Sequence, residues 1–327
     1  MGAGTTVRSA TVAVVGSMNT DLVAYVQRAP GPGETVIGER FASGFGGKGA
    51  NQAVMARLLG ADVSFVGALG DDAYATETLE NFRRLGIHAG GVMRVAGSSG
   101  VAPIWVEADG TNRIVVVPGA NDLVTPEHAA AAISAATSAD VCVGQLEIPQ
   151  AVTAAGFRSA RARGAITILN PAPAAPITSE LLAVTDWLIP NEVEFVLLAG
   201  SDGSSGGDAA ASGAADAAML AFSRRIGSRL IVTLGAAGAA LVGPDGAVTR
   251  LPARTVVAVD TSGAGDAFVG AFAVGLARGV SEVDAVRLGI ACATESVLRP
   301  GTQASFPNPQ RAAAILAGIK RDQGRHD

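Results

Sequence analysis

The feature that most constrains this chain is the repeated alternation of short β-branched runs with segments of helix length. Strand-length apolar runs occupy residues 11–15, 63–66, 141–143, 166–169, 187–189 and 230–234, and helix-like segments cover 48–59, 77–85, 126–137, 149–163 and 209–226 between them. Strands joined through helices pair in parallel, so the pattern predicts an α/β chain built of βαβ units around a mostly parallel sheet. Such strands are buried on both faces, which suits a chain that is 49% hydrophobic and only 16% charged. The same balance excludes a disordered protein. With aromatics at 4%, the core must be filled by Ala, Val, Leu and Ile.

Two stretches break the pattern. Residues 34–42 and 100–117 alternate apolar and polar positions, as half-exposed antiparallel strands do, and predict a small second sheet beside the main one. The Gly/Ser-rich run at 201–207 reads as a surface loop rather than a linker, because helix-like sequence resumes directly after it. The 327 residues are therefore read as one domain, 1–327. Helices are expected at 266–278, small and apolar all round and hence buried, and at 281–297, opened by Ser281 and Asp284 at capping-box spacing.

Charge and cysteine content narrow the function. A formal charge of -5, from 24 basic and 29 acidic residues without a Lys/Arg run, gives no footprint for nucleic acid. Cys142 and Cys292 sit among apolar neighbours and read as reduced thiols, while His88, His128 and His326 lack metal-ligand spacing. The longest apolar stretch, 267–277, is far short of the ~20 residues a membrane span needs. No secretory pattern opens the chain. The expectation is a cytoplasmic protein that handles small molecules.

The strongest local signal is the run Val259-Asp260-Thr261-Ser262-Gly263-Ala264-Gly265-Asp266, read as a strand entering a glycine turn and then a buried helix. Free N–H groups at such a helix start bind anions, and Gly263 and Gly265 let the main chain approach a phosphate closely. Asp266 would then stand beside that phosphate, placed to take a proton from an attacking hydroxyl. The plainer reading is an Asp that only caps a helix. Neither a Walker-type G-x-x-x-x-G-K-[ST] nor a Rossmann G-x-G-x-x-G follows the first strand, which removes the usual nicotinamide-dependent oxidoreductase reading. Asn19 and Asp21 follow the first strand, beyond the carboxyl end where α/β ligands bind, and suit a polyol. Gly44-Phe45-Gly46-Gly47-Lys48-Gly49-Ala50-Asn51 makes a second glycine turn into a helix, with Lys48 either near phosphates or simply facing solvent.

Together these motifs resemble, in order and over nearly the whole chain, the ribokinase-like family of carbohydrate kinases. The resemblance implies a three-layer fold, a mostly parallel central sheet flanked by helices, with a small antiparallel β lid contributed by about 34–43 and 100–117. It implies ATP-dependent phosphorylation of a small sugar, D-ribose at its 5-hydroxyl first. Fructose, deoxyribose or a nucleoside are the alternatives, and a non-catalytic sugar-binding regulator lies further off. Carried over by position, Asp266 becomes the catalytic base and Gly263, Ala264 and Gly265 the anion hole. Asn19, Asp21, Gly46, Gly47, Lys48, Asn51 and Glu147 would contact the sugar. Asn191 and Glu194, in an N-x-x-E string, would order magnesium and phosphate through water, and Thr233, Gly235 and Gly238, with Gly265, would hold ATP. Asp260, Ser262, Ser296, Arg299, Gly301 and Ser305 match positions that coordinate potassium. A homodimer through the lid is also implied.

Overall fold

The computed structural model describes residues 10–200 and 213–323, so the Gly/Ser-rich loop singled out near 200–213 lies almost wholly outside the described residues. The first half of the chain runs β1 (Thr11–Val15), β2 (Asn19–Tyr25), β3 (Arg40–Gly46), α1 (Lys48–Leu58), β4 (Asp62–Leu69), α2 (Ala73–Leu85), β5 (His88–Arg94), β6 (Gly100–Val106), β7 (Asn112–Ile114) and α3 (Pro126–Ala135). The second half continues through β8 (Val141–Gly144), α4 (Gln150–Arg161), β9 (Ile166–Leu169), α5 (Ser179–Leu182), β10 (Trp187–Leu188), α6 (Glu192–Ala199) and α7 (Gly213–Ile226). It closes with β11 (Arg229–Thr233), β12 (Ala239–Val242), β13 (Val248–Leu251), α8 (Ala264–Ala277), α9 (Glu282–Ser296) and α10 (Pro309–Gln323).

Nine strands form the main sheet in the order β13-β12-β11-β10-β9-β8-β1-β4-β5. The six strand-length runs at 11–15, 63–66, 141–143, 166–169, 187–189 and 230–234 all supply strands to it. Pairing is parallel from β11 to β5, and only the short connections around β12 allow an antiparallel edge. Alternate side chains feed two cores: Val12, Val14 and Phe65 face α1, α2, α8, α9 and α10, whereas Ala13, Val15 and Val66 face α3 to α7. The layers are therefore helix, sheet, helix. α8 is apolar on every side because it sits between the sheet and other helices, with Phe272 edge-on to Trp187 at 5.0 Å. Close approach of α1 needs Gly270, where a Cβ would fall 2.6 Å from the Gln52 carbonyl oxygen. Both cysteines are free and buried, and burial pushes their thiols up to about 12. No helix among the described residues is long and apolar enough to cross a membrane.

The second sheet has the order β3-β2-β6-β7. Its edges pair antiparallel, as expected, but β2 and β6 at its centre run parallel. β2 carries Asn19 and Asp21, expected just beyond the carboxyl end of β1; the chain leaves the main sheet at Gly16 and enters the small one within three residues. Residues 34–38, expected as strand, are not one. Glu34 turns back to accept from Gly31 N at 2.9 Å and pairs with Arg28, so the ladder starts only at Arg40. The strand expected before Asp260 is also absent. Residues 252–260 run without a ladder partner, and the Val259 N–H donates to the Val297 carbonyl instead.

Candidate active site

Strand order reverses at β1, with β4 on one side and β8 on the other, and a crevice opens beyond the carboxyl ends of such a pair. Ser17 after β1, Gln145 and Glu147 after β8, Asn170 after β9 and Asn191 after β10 all lie along that edge. α8 brings its first turn to the same place. Gly263 precedes it at φ 73°, a left-handed geometry that glycine tolerates best, and no side chain caps the helix. The opening N–H groups have no intrahelical acceptor by construction. Ala264 N leans back on the Thr261 carbonyl at 3.3 Å.

Asp266, in this first turn, is only 6% exposed. Asn51 donates to its Oδ2 and Gln52 to its Oδ1, each at 2.9 Å. Burial pushes its pKa up, while Lys48 and the two amides pull back without cancelling the rise. A carboxylate with a raised pKa is a stronger base than an exposed one. Lys48 lines a cavity of about 150 Å³ with Asn170, Asn191, Glu194, Gly265 and Asp266. Burial alone would lower its pKa; the carboxylates of Asp266, Glu147 and Glu194 outweigh that and hold it above its ordinary value.

The residues expected to meet the sugar converge here. Glu147 Oε2 accepts from Ser17 Oγ at 2.6 Å and from Lys48 N at 3.0 Å. Asp21 packs against Gly46, where a Cβ would fall 2.1 Å from its Oδ1, and its Oδ2 accepts from Thr302 Oγ1 at 3.2 Å. Burial pushes Asp21 up to about 6, opposed by the Thr302 bond and aided by Glu147 and Asp266. Gly47, at φ 86°, passes so close to Asn19 N that a Cβ would sit 2.6 Å away. Asn19 Oδ1 accepts from Asn121 Nδ2 at 2.8 Å. Asn51 is engaged at both ends, by Asp266 and by Gln303 Nε2 at 3.0 Å.

Asn191 and Glu194 form a reciprocal capping box at the start of α6: Glu194 N donates to Asn191 Oδ1 and Asn191 N to Glu194 Oε2, both at 2.8 Å. The N-x-x-E string thus has a structural job as well as a place on the cavity wall. Burial raises the Glu194 pKa. Beyond it opens a cavity of about 370 Å³ lined by Thr233, Gly235, Gly238 and, more apolar, Phe268, Ile290 and Val297. It shares Asn191, Thr233 and Gly265 with the smaller one. Gly238 is also required by packing, since a Cβ there would lie 2.0 Å from the Leu251 carbonyl oxygen.

Of the six residues expected to hold potassium, hydrogen bonds join Asp260, Ser262 and Gly301 in one group and Arg299 and Ser305 in another. Asp260 accepts from Ser262 N at 2.9 Å and from Gly301 N at 2.8 Å, tying the two loops together. Arg299 Nη2 donates to the Ser305 carbonyl at 2.9 Å, and Ser296, ending α9, donates to the Ala293 carbonyl.

The pfkB family carbohydrate kinase profile matches residues 9–309. The chain belongs to this family of carbohydrate kinases. A ribokinase of Schizosaccharomyces pombe is 37% identical over 308 residues, covering 91% of this chain and 95% of that protein. A deoxyribokinase of Salmonella typhimurium is 36% identical over 310 residues, with 94% and 98% covered. The Arabidopsis thaliana ribokinase, solved with ribose and ATP, superposes with a TM-score of 0.84 at 29% identity, covering 94% of this chain and 99% of that one.

Several polar residues of this pfkB-family site carry no signal in the sequence. Gln52, Gln145 and Asn170 build an amide row behind Asp266, and Thr302 and Gln303 close on Asp21 and Asn51 from the far end of the chain. Gln52 follows Asn51 directly and was findable by that adjacency. The others come from loops whose sequence shows no pattern.

Proposed function

We propose that this carbohydrate kinase is a ribokinase, transferring the γ-phosphoryl group of ATP to the 5-hydroxyl of D-ribose with Asp266 as general base. One observation carries the reading: a buried carboxylate stands in the uncapped first turn of α8, on a cavity wall shared with Lys48. Phosphoryl transfer needs little covalent help, so alignment and charge do the work. Asn51 holds Asp266 through Oδ2, the polar set from Asn19 to Glu147 offers partners to a polyol, and the first-turn N–H groups of Gly263, Ala264 and Gly265 would take the charge that develops on the transferred group. Lys48 adds a fixed cation, and the apolar 370 Å³ cavity suits a nucleoside.

Magnesium, where bound, would neutralise phosphate charge; the capping box occupies only one oxygen of Glu194, which leaves this carboxylate and Asn191 suited to hold the ion through water. Potassium, where bound, would be held among Asp260, Ser262, Ser296, Arg299, Gly301 and Ser305, with the Asp260 carboxylate, which joins the Ser262 and Gly301 loops, as the hard oxygen donor such a cation takes. A homodimer through the small sheet is supported by its exposed Phe41 and Ile114.

The deoxyribokinase likeness favours 2-deoxyribose as a second reading. A coupled assay with D-ribose, 2-deoxyribose, fructose and a nucleoside decides between them: ribose is expected to have the highest kcat/KM, and a higher value for deoxyribose replaces this substrate while leaving the kinase intact.

A further inference from the structure

Behind Asp266 runs a row of buried amides that the reaction as described does not use. Gln52, fully buried in α1, donates through Nε2 to Asp266 Oδ1 at 2.9 Å and to Asn170 Oδ1 at 3.2 Å. Its Oε1 in turn accepts from Gln145 Nε2 at 2.6 Å. Gln145 is 1% exposed, and its own Oε1 has no partner. The row has a fixed polarity. A carboxylate only accepts, so Gln52 must turn its NH₂ toward Asp266, which turns its oxygen away and obliges Gln145 to present an NH₂ as well. The mismatch is thereby pushed to the far end, at Gln145 Oε1. That oxygen lies where a Cβ on Gly16 would be 2.1 Å away, so glycine is what admits the Gln145 side chain. An unpaired buried acceptor is costly, and here it is retained where the gain is two aligned donors in series on one catalytic oxygen.

We propose that Gln52, oriented by Gln145, is a positioning residue that aims the Asp266 carboxylate and keeps it ionised; this rests on the reading of Asp266 as the base. The charged groups facing Asp266 are Lys48 from α1, Glu147 after β8, Glu194 from α6 and Asp21 from β2. Three are acids that oppose its ionisation, and Lys48 and the amides oppose them. A donor on Oδ1 therefore moves the pH at which the base becomes active.

The test is kcat against pH, at saturating D-ribose and ATP, for the wild type, Gln52→Met, Gln145→Met and Asp266→Asn, with thermal melting to confirm folding. Gln52→Met should shift the rising limb upward by about one pH unit, the scale of a hydrogen bond to a charged group. Gln145→Met should shift it less, in the same direction, and both losses should shrink as pH rises. If folded variants lose activity by the same factor at every pH, or lose none, the positioning role is overturned. Should Gln52→Met fail to fold, Gln145→Met decides alone. Asp266→Asn separates the two readings: an unshifted rising limb there refutes Asp266 as the base, whereas a nearly inactive Asp266→Asn beside an unmoved Gln52→Met limb refutes only Gln52.

Discussion

The chain builds two helix starts in the same way and uses them differently. α1 and α8 each begin after a glycine in the left-handed region, Gly47 at φ 86° and Gly263 at φ 73°, and both aim their first turns at one crevice. In α1 the opening amides are already taken: Lys48 N by Glu147 Oε2, Gly49 N by Ser17 Oγ at 3.3 Å and Ala50 N by the Ser17 carbonyl at 2.9 Å. Glu147 is in effect an anion supplied by the protein itself, at the positive end of the helix dipole. No side chain caps α8. A glycine turn into a helix therefore does not announce a phosphate site; what matters is whether residues distant in sequence have satisfied it.

If α8 is the end reserved for chemistry, the largest effect belongs to Asp266→Asn. Asn keeps the shape, but it cannot take the proton. We expect kcat to fall by roughly 10²–10⁴, while the Kd values for ribose and for an ATP analogue change by about a few fold, because a base acts in the transition state. Steady-state rates and calorimetry check this. A folded variant that keeps more than about a tenth of its turnover shows that the proton leaves by another route.

The glycines give a sharper contrast. At Gly265 nothing lies within 4 Å of where a Cβ would point, so Gly265→Ala fits the fold and should raise stability by about 0.5–1 kcal/mol through helix propensity. The same methyl projects beside the cavity, and kcat/KM for ATP should fall by roughly 10–10² through misplacement of the reacting group. Gly47→Ala should do the opposite to stability. Its φ of 86° and the contact with Asn19 N make alanine strained, at a cost of about 1–3 kcal/mol seen as a lower Tm. If both variants lose stability, the two turns do the same structural work and the contrast fails.

Much of this was legible in the sequence, for physical reasons. Buried parallel strands read as unbroken β-branched runs, so 141–143 and 166–169 announced β8 and β9 without ambiguity. α8 was visible because a helix packed on all sides must be apolar all round. β2 was not, since Asn19-Thr20-Asp21 spends its alternating positions on site residues rather than on a core. The strand expected before Asp260 failed for the converse reason: Thr255, Val256 and Val257 have strand propensity but no neighbour to pair with, and Val257 is 88% exposed. Within the site, Lys48 and Asp266 stood out beside their glycine turns, whereas Glu147, Asn191 and Glu194 came only with the family resemblance. Gln145, Asn170, Thr302 and Gln303 act through position alone, which only folding supplies.

The smallest expected effect tests the α1 side, where the protein's own charges crowd the sugar. Asp21 is pushed up to about 6, mainly by burial. Sugar hydroxyls donate to a carboxylate, so the sugar should bind the ionised form better, and KM for ribose should rise by a few fold as pH falls from 7 through about 6. An aspartate of ordinary pKa would leave KM flat over that range. The stability sign runs the other way. Because the folded-state pKa is raised, the folded protein holds this proton more tightly than the unfolded chain, so the stabilising contribution is present below the ordinary aspartate pKa and is lost as pH rises through about 6. Asp21→Asn removes the buried charge, and it should raise KM at neutral pH, abolish the inflection near 6 and raise Tm at pH 7. KM profiles and melting curves for wild type and variant decide it: an inflection that survives in Asp21→Asn assigns the titration to another group, and a Tm that falls shows that Asp21 is held there for the fold rather than for the sugar.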